Sequence, residues 1–163
     1  MKIVLYGTPV LRKVSKKVEK IDNELNETLD EMIVTMRNAK GIGLAANQVG
    51  IDKRFFVLEI EDEIKKIINP EILEFSKELI EIEEGCLSLP GIYKKATRPR
   101  VIKVKYWNEK GEEVTEEMED LWGAFQHELD HLDGILFIDK ISPMSKRLIS
   151  KKLDQLKKMS AEQ

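Results

Sequence analysis

Cysteine and histidine are scarce in this chain of 163 residues, which contains one cysteine and two histidines. A single cysteine, Cys86, excludes an intramolecular disulfide and is typical of a reducing compartment, so we expect a cytoplasmic location. We find no apolar run long enough for a signal peptide or a membrane span, and we therefore expect no membrane association. The net charge of -3 gives no general attraction to nucleic acid, and we expect no DNA partner.

The length corresponds to one ordinary domain, and the chain has no repeat or low-complexity linker, so we predict a single domain over residues 1–163. Apolar residues recur at helical spacing in the first third of the chain and near its end. They predict helices over residues 24–40, 120–131 and 142–159. Gly41 and Gly134 are the expected stops of the first two helices, and Ser142 and Pro143 form the start of the third.

Between these helices, the pattern of apolar residues indicates strands. We predict strands over residues 54–59, 65–69, 101–107 and 112–118, and one or two strands over 71–83. A hairpin loop is predicted over 108–111 and a short apolar strand over 135–138. Pro70 is expected to end the second of these strands. Because strands and helices do not alternate strictly, we predict an α+β fold with mostly antiparallel strands.

Both histidines lie in the sequence Gln-His-Glu-Leu-Asp-His at positions 126–131. Positions i and i+4 share one face of a helix, so His127 and His131 would present two imidazoles to a common point, with Glu128 beside them. This H-E-x-x-H arrangement offers two nitrogen ligands for a divalent metal and a carboxylate that can handle a proton. The alternative is a solvated amphipathic helix. We therefore predict that the strands pack around a central metal-binding helix, with one helix N-terminal and one C-terminal to them.

A catalytic metal usually has three protein ligands and one open position, and the residues alone leave the third ligand open. Glu162 lies at the end of the chain, Asp133 is too close to His131 in sequence, and Asp139 is possible. Cys86, which follows a predicted strand, would give a Cys-His-His site with water in the fourth position. The alternative for Cys86 is a small buried apolar residue.

The segment Gly41–Gln48 is too rich in small residues for an ordinary strand and is predicted to form a loop. Its two glycines allow another group to approach the main chain closely, or they belong to a plain connection between helix and strand. The segment lacks the third glycine of a dinucleotide-binding fingerprint and the Gly-Lys-Ser/Thr ending of a phosphate loop.

Three blocks of the sequence resemble the peptide deformylase family in order and spacing. They are Gly41–Gln48, Glu84–Ser88 and Gln126–Leu132, and smaller matches occur at Pro9–Arg12 and His131–Phe137. Because the blocks are spread over nearly the whole chain, the resemblance is specific.

The resemblance implies a divalent metal ion held by Cys86, His127 and His131. In this family the metal is usually Fe(II), while zinc, nickel or cobalt can occupy the site. A thiolate with two imidazoles suits all four metals, so the expectation of iron comes from the family.

The resemblance also implies the reaction and its catalytic groups. Glu128 matches the general acid/base, and Gln48 and the main-chain N–H of Leu87 match the donors to the oxyanion. The family removes the formyl group from the N-terminal formylmethionine of nascent polypeptides and releases formate. Ile42, Ile82 and Ala124 are our candidates for lining a methionine pocket.

Two charged regions have expected contacts. Asp130 is expected to meet Arg98 or Arg100, or else to lie on the surface. The last predicted helix is basic, and in some relatives its counterpart docks on ribosomal RNA, so we expect a ribosome contact or a plain solvated face.

Two other functions compete with the deformylase interpretation. One is a zinc peptidase that uses Asp139 as its third ligand. The other is a degenerate relative with a structural zinc, against which the presence of Glu128 and Gln48 argues, since a structural site needs neither.

Overall fold

Seven strands form two antiparallel sheets in the computed structural model, which describes residues 1–163. The strands are β1 (Gly43–Ala45), β2 (Phe55–Ile60), β3 (Glu63–Phe75), β4 (Leu79–Cys86), β5 (Leu89–Pro99), β6 (Val101–Trp107) and β7 (Glu113–Glu119). The larger sheet has the order β1-β2-β3-β6-β7, and β4 pairs with β5 in the smaller one. All named strand pairs are antiparallel, which confirms the predicted α+β class.

Four α-helices and four 3-10 turns complete the chain. The helices are α1 (Asn23–Asn38), α2 (Ala124–Leu132), α3 (Pro143–Leu148) and α4 (Ser150–Ala161), and the 3-10 turns are Pro9–Arg12, Ala46–Val49, Asp120–Gly123 and Phe137–Lys140. The carboxylate of Asp22 caps α1 by accepting a hydrogen bond from the N–H of Leu25. None of these helices combines the length and the apolar content that a membrane-spanning segment requires.

The loop predicted over residues 41–48 was wrong in part, because Gly43–Ala45 forms the edge strand β1. Leu44 and Ala45 of this strand are completely buried. The predicted stop at Pro70 was also wrong, since β3 continues through it. Asn69 takes a positive φ of 50°, and a register shift between Ile68 and Glu71 admits the proline.

Other boundaries also differ from prediction. The helix predicted over 120–131 begins at Ala124, after a 3-10 turn over Asp120–Gly123. The segment predicted as a strand over 135–138 is a loop leading into a 3-10 turn, and its apolar pattern reflects the burial of Leu136, Phe137 and Ile138. The predicted C-terminal helix is divided at Ile149 into α3 and α4. Helix α1 ends at Asn38 rather than at Lys40, and Lys40 adopts the left-handed conformation.

Helix α2 carries the two histidines and is held against the larger sheet by its apolar face. Phe125 is completely buried there, and its ring meets the edge of Phe56 with 5.2 Å between centroids. Leu132 is buried in the same cluster. Truncating a buried phenylalanine costs about 3–5 kcal/mol, so this contact fixes the helix firmly on the sheet.

Candidate metal centre

Cys86, His127 and His131 come together although they derive from separate elements. One ligand atom from each lies within 4.8 Å of the others. Cys86 ends β4, and its Sγ is 3.2 Å from Nε2 of His131. The two imidazole rings, one helical turn apart, are 4.9 Å apart and inclined at 71°. A soft sulfur and two imidazole nitrogens converging on one point are a donor set that fits a divalent transition metal.

The other candidates for a third ligand are engaged elsewhere. Asp139 receives two hydrogen bonds from Arg12, at 2.6 and 3.1 Å, and Asp133 pairs with Arg54 at 2.8 Å. Glu162 is exposed at the end of α4. The structure therefore brings Cys86, and not one of these carboxylates, to the two histidines.

The buried carboxylate of Glu84 orients His127. Its Oε1 lies 2.8 Å from Nδ1 of His127, which leaves Nε2 of the ring for the cluster. Arg98, only 3% exposed, binds both oxygens of Glu84. Burial alone would raise the pKa of Glu84, but the hydrogen bonds from Arg98 and His127 outweigh it and lower this pKa to about 2. An ionised carboxylate behind a histidine ligand fixes the ring and its tautomer.

Arg98 also reaches the second acid of this network. Its Nη1 donates to Asp130 at 3.1 Å, which confirms the predicted contact between these residues. Lys140 pairs with the same oxygen of Asp130 at 2.9 Å. Arg100, the alternative partner, instead pairs with Glu78 at 2.9 Å.

Glu128 is 2% exposed and faces the cluster from the same helix as the histidines. Its Oε1 lies 3.8 Å from Nε2 of His127, while its Oε2 has no hydrogen-bond partner in the chain. Burial raises the pKa of Glu128 to about 7, although His127 opposes this shift. A carboxyl group that titrates near neutral pH can both take up and return a proton.

The two imidazoles differ in basicity for identifiable reasons. Burial lowers the pKa of His131 well below its ordinary value, and His127 lowers it further, so this ring is neutral. Burial opposes protonation of His127 too, but its hydrogen bonds to Cys86 and Glu84 raise its pKa. A neutral ring is the form of histidine that binds a metal.

Gln48 points its side-chain amide at the cluster from the 3-10 turn that follows β1. Its Oε1 accepts a hydrogen bond from the N–H of Ala45 at 2.9 Å. Its Nε2 lies 3.2 Å from Oγ of Ser88 and 3.4 Å from Sγ of Cys86. The main-chain N–H of Leu87, beside Cys86, has no partner in the chain. Two N–H groups thus lie next to the sulfur, and that of Leu87 is unpartnered.

The N-terminal segment is hydrogen-bonded both to the turn that carries Gln48 and to the turn that carries Leu87 and Ser88. The N–H of Val4 donates to the carbonyl of Gln48 at 2.8 Å, and the N–H of Tyr6 donates to that of Ser88 at 2.9 Å. Both bonds join main chain to main chain, so they do not depend on residue type. No sequence motif could have signalled them.

Of the residues predicted to line a methionine pocket, Ile82 lies close to the residue before Ala124. A Cβ built on Gly123, which precedes Ala124, would lie 3.4 Å from Cδ1 of Ile82. Ile42 is 54% exposed. Reasoning from sequence missed Glu84 and Ser88 as site residues, although both lie in a block that carried the family resemblance.

A buried glutamate on an H-E-x-x-H helix, two histidines and a cysteine, all held on an α+β scaffold, define a metal-dependent hydrolase. The comparisons specify which kind. The family model described as polypeptide deformylase matches residues 1–147. The chain belongs to the polypeptide deformylase family.

Individual relatives extend this similarity over nearly the whole chain. The peptide deformylase of Fusobacterium nucleatum is 52% identical over 161 residues, covering 96% of this chain and 92% of the relative. The crystal structure of peptide deformylase from Thermotoga maritima is 51% identical, covers 87% of this chain and 97% of its own, and superimposes with a TM-score of 0.84. Arabidopsis thaliana peptide deformylase 1B, in complex with an inhibitor, is 35% identical, covers 99% and 93% of the two chains, and has a TM-score of 0.92.

Proposed function

We propose that Cys86, His127 and His131 hold one divalent metal ion, which is Fe(II) in the cell and which zinc, nickel or cobalt can replace. The convergence of the three donor atoms within 4.8 Å supports this ligand set. The contact of Glu84 with the second nitrogen of His127 supports it independently. The choice of iron rests on the resemblance to the family, since these donors suit all four metals. When bound, the metal supplies a Lewis acid that polarises the formyl oxygen and acidifies water.

The enzyme removes the N-formyl group from nascent peptides, and we assign the proton transfers of this reaction to Glu128. Its carboxylate takes a proton from the water that attacks the formyl carbon. It then gives that proton to the amine nitrogen as the carbon–nitrogen bond breaks. The products are formate and a peptide with a free N-terminal methionine. Burial supports this role, because it brings the pKa of Glu128 to about 7 and lets the group act in both directions.

Gln48 and Leu87 stabilise the oxygen of the formyl group as it becomes negative. Nε2 of Gln48 and the main-chain N–H of Leu87 flank Cys86 and are the donors available there. Donors that are already in place cost no rearrangement during the reaction. Removing one such donor typically lowers the rate by about 10²–10³.

The nascent chain lies beside β1 in an extended conformation. β1 is the edge strand of the larger sheet and pairs only with β2, so its other edge can accept a peptide strand. Ile42, Ile82 and Ala124 line the pocket for the methionine side chain. We further propose that residues 1–163 act as one catalytic domain, because α4 buries Leu153 and Leu156 in the same cluster that Cys86 packs against. We place the protein in the cytoplasm, because a single cysteine is typical of a reducing compartment.

The observation that carries this function is the single cluster of Cys86, His127 and His131 with Glu128 beside it. The test is formate release from a formyl-Met-Ala-Ser peptide by protein purified without oxygen. Fast release from this peptide, and none of acetate from its acetylated counterpart, is the expected result. Cys86→Ser should lose both metal and activity. If this variant kept both, a peptidase with a different third ligand would be favoured, and cleavage of casein would then be measured.

We also propose that the basic C-terminal helices contact ribosomal RNA. Lys146, Arg147, Lys151, Lys152, Lys157 and Lys158 are all exposed on α3 and α4, where Asp154 is the only acid. Phosphate contacts make such binding depend strongly on salt.

Charge reversal separates this contact from a plain solvated face. Lys151→Glu with Lys158→Glu should weaken co-sedimentation with ribosomes. The slope of the logarithm of the binding constant against the logarithm of the salt concentration should fall by about one per lysine. Lys17→Glu with Lys20→Glu makes the same change in net charge on another exposed segment and is the matched control. Equal effects of the two pairs would contradict the proposal.

A further inference from the structure

Asn47 is completely buried in the 3-10 turn beside Gln48, and it reaches the metal helix. Its Nδ2 donates to the main-chain carbonyl of His131 at 2.5 Å, across a sequence separation of 84 residues. Its Oδ1 has no partner in the chain. The bond to His131 is therefore the only hydrogen bond that the Asn47 side chain makes within the chain.

The carbonyl that Asn47 caps belongs to the last turn of α2, where main-chain acceptors lack partners within the helix. The carbonyl of Leu132 accepts from the N–H of Ser15 at 2.7 Å and from Arg54 at 3.1 Å. The carbonyl of His131 accepts from the N–H of Gly134 at 3.0 Å and from Asn47. Of the donors from outside the helix, only Asn47 comes from the turn that holds Gln48.

We propose that Asn47 is a positioning residue that sets the distance between the Gln48 amide and the metal ligand His131. This inference rests on the proposed function, in which Gln48 and the metal act on the same formyl oxygen from different elements. Asn47 adjoins Gln48 in the chain and is hydrogen-bonded to His131, so one side chain couples the two. Ala45 and Ser88 orient the Gln48 side chain locally, but neither is hydrogen-bonded to α2.

Loss of this bond should affect catalysis more than substrate binding. The Gln48 donor acts mainly on the charge that develops in the transition state, so a displaced turn lowers kcat while KM changes little. Misplacement of a catalytic group by about 1 Å can cost about 10²-fold in rate, and we expect a fall in kcat of about 10-fold or more. Because Asn47 holds the main chain of His131, its loss should also let the metal leave faster.

The experiment compares Asn47→Ala and Asn47→Leu with Asn69→Ala. Leucine has the same branching and number of side-chain heavy atoms as asparagine but no donor, so it removes the bond without leaving a cavity. Asn69 also uses its side chain to bind main chain, donating to the carbonyl of Val18 at 2.8 Å and accepting from its N–H at 2.9 Å, and it serves as the control for lost stability. We would measure kcat, KM, thermal unfolding and the rate at which cobalt is lost to a chelator.

A double-mutant cycle with Gln48→Ala provides the decisive readout. If Asn47 acts through Gln48, then Asn47→Ala lowers kcat in the wild-type background and has little further effect on kcat when Gln48 is absent. Both Asn47 variants should also lose cobalt faster than Asn69→Ala. Full additivity in the cycle, or effects no larger than those of Asn69→Ala, would overturn the inference. If Gln48→Ala itself left kcat unchanged, the proposed function of Gln48 would fail, and the inference with it.

Discussion

The buried ion pair between Arg98 and Glu84 makes a quantitative prediction for Arg98→Met. The side chains of these residues are 4% and 8% exposed, and the guanidinium binds both oxygens of Glu84. Methionine removes the charge and leaves the Glu84 carboxylate buried with much weaker compensation. Breaking a buried pair in this way costs about 3–5 kcal/mol. That is a large part of the total stability of about 5–15 kcal/mol that a domain possesses.

Arg37 supplies the matched control. It binds both oxygens of Glu59 in the same way, but its side chain is 50% exposed. Water can solvate Glu59 when Arg37 is replaced, so Arg37→Met should lose much less stability. The assay is urea unfolding of both metal-free variants, read as the shift in midpoint at constant slope. Equal shifts for Arg98→Met and Arg37→Met would refute the argument from burial.

The same replacement should weaken the metal site. Without Arg98, the Glu84 carboxylate is less firmly held and orients His127 less well. We expect metal affinity to fall by about 10–100-fold, measured by competition with a chelator. Arg37→Met should leave metal affinity unchanged, because its pair with Glu59 includes none of the three ligands.

Two further replacements test other parts of the account. Gly43→Ala should lower kcat with the metal retained, because the added Cβ would lie 3.0 Å from both Cδ of Glu128 and Cδ2 of Leu58; an unchanged kcat would argue against this crowding. Asp139→Asn should lower the Tm at pH 7. Burial would raise the pKa of Asp139, but hydrogen bonds from Arg12 and from the N–H of Leu136 outweigh it and lower this pKa. The ionised carboxylate therefore stabilises the fold above a pH of about 4, the pKa of an aspartate in the unfolded chain. This stabilisation is lost as the pH falls through the pKa of Asp139 in the folded protein. The Tm difference should therefore shrink below pH 4, and a constant difference would contradict the pairing.

The fold class was predictable because the hydrophobic pattern matched the observed elements over most of the chain. Strand β6 was predicted with the observed bounds because its buried residues, Ile102, Val104 and Tyr106, alternate with partly exposed ones. Helix α1 was predictable from its capped start and its apolar face. These are local signals, and local signals survive in a single sequence.

The errors occurred where tertiary contacts override local preference. β1 was missed because a short Gly-Leu-Ala segment becomes a strand only when β2 supplies its partners. β5 (Leu89–Pro99) was not predicted, because Lys94 and Lys95 interrupt its apolar pattern. These lysines instead lie opposite Glu84 and Glu83 on β4. Such pairings depend on contacts between segments that the sequence does not bring together.

The candidate site could be predicted to different depths. The spacing of the histidines indicated a metal and placed Glu128, whereas Cys86 remained one alternative among several until the family resemblance was considered. Glu84, Ser88 and Asn47 could not be ranked from sequence, since each acts through a contact with a distant segment. Their importance becomes visible only from burial and hydrogen-bond partners.

The central claim is that Glu128 moves the proton beside a metal held by Cys86, His127 and His131. The most direct test is formate release from formyl-Met-Ala-Ser by Glu128→Gln, purified without oxygen and compared with the wild type at equal metal content. We expect the variant to bind one metal ion per chain and to lose at least about 10²-fold in kcat. A variant that binds the metal and releases formate at the wild-type rate would contradict the account.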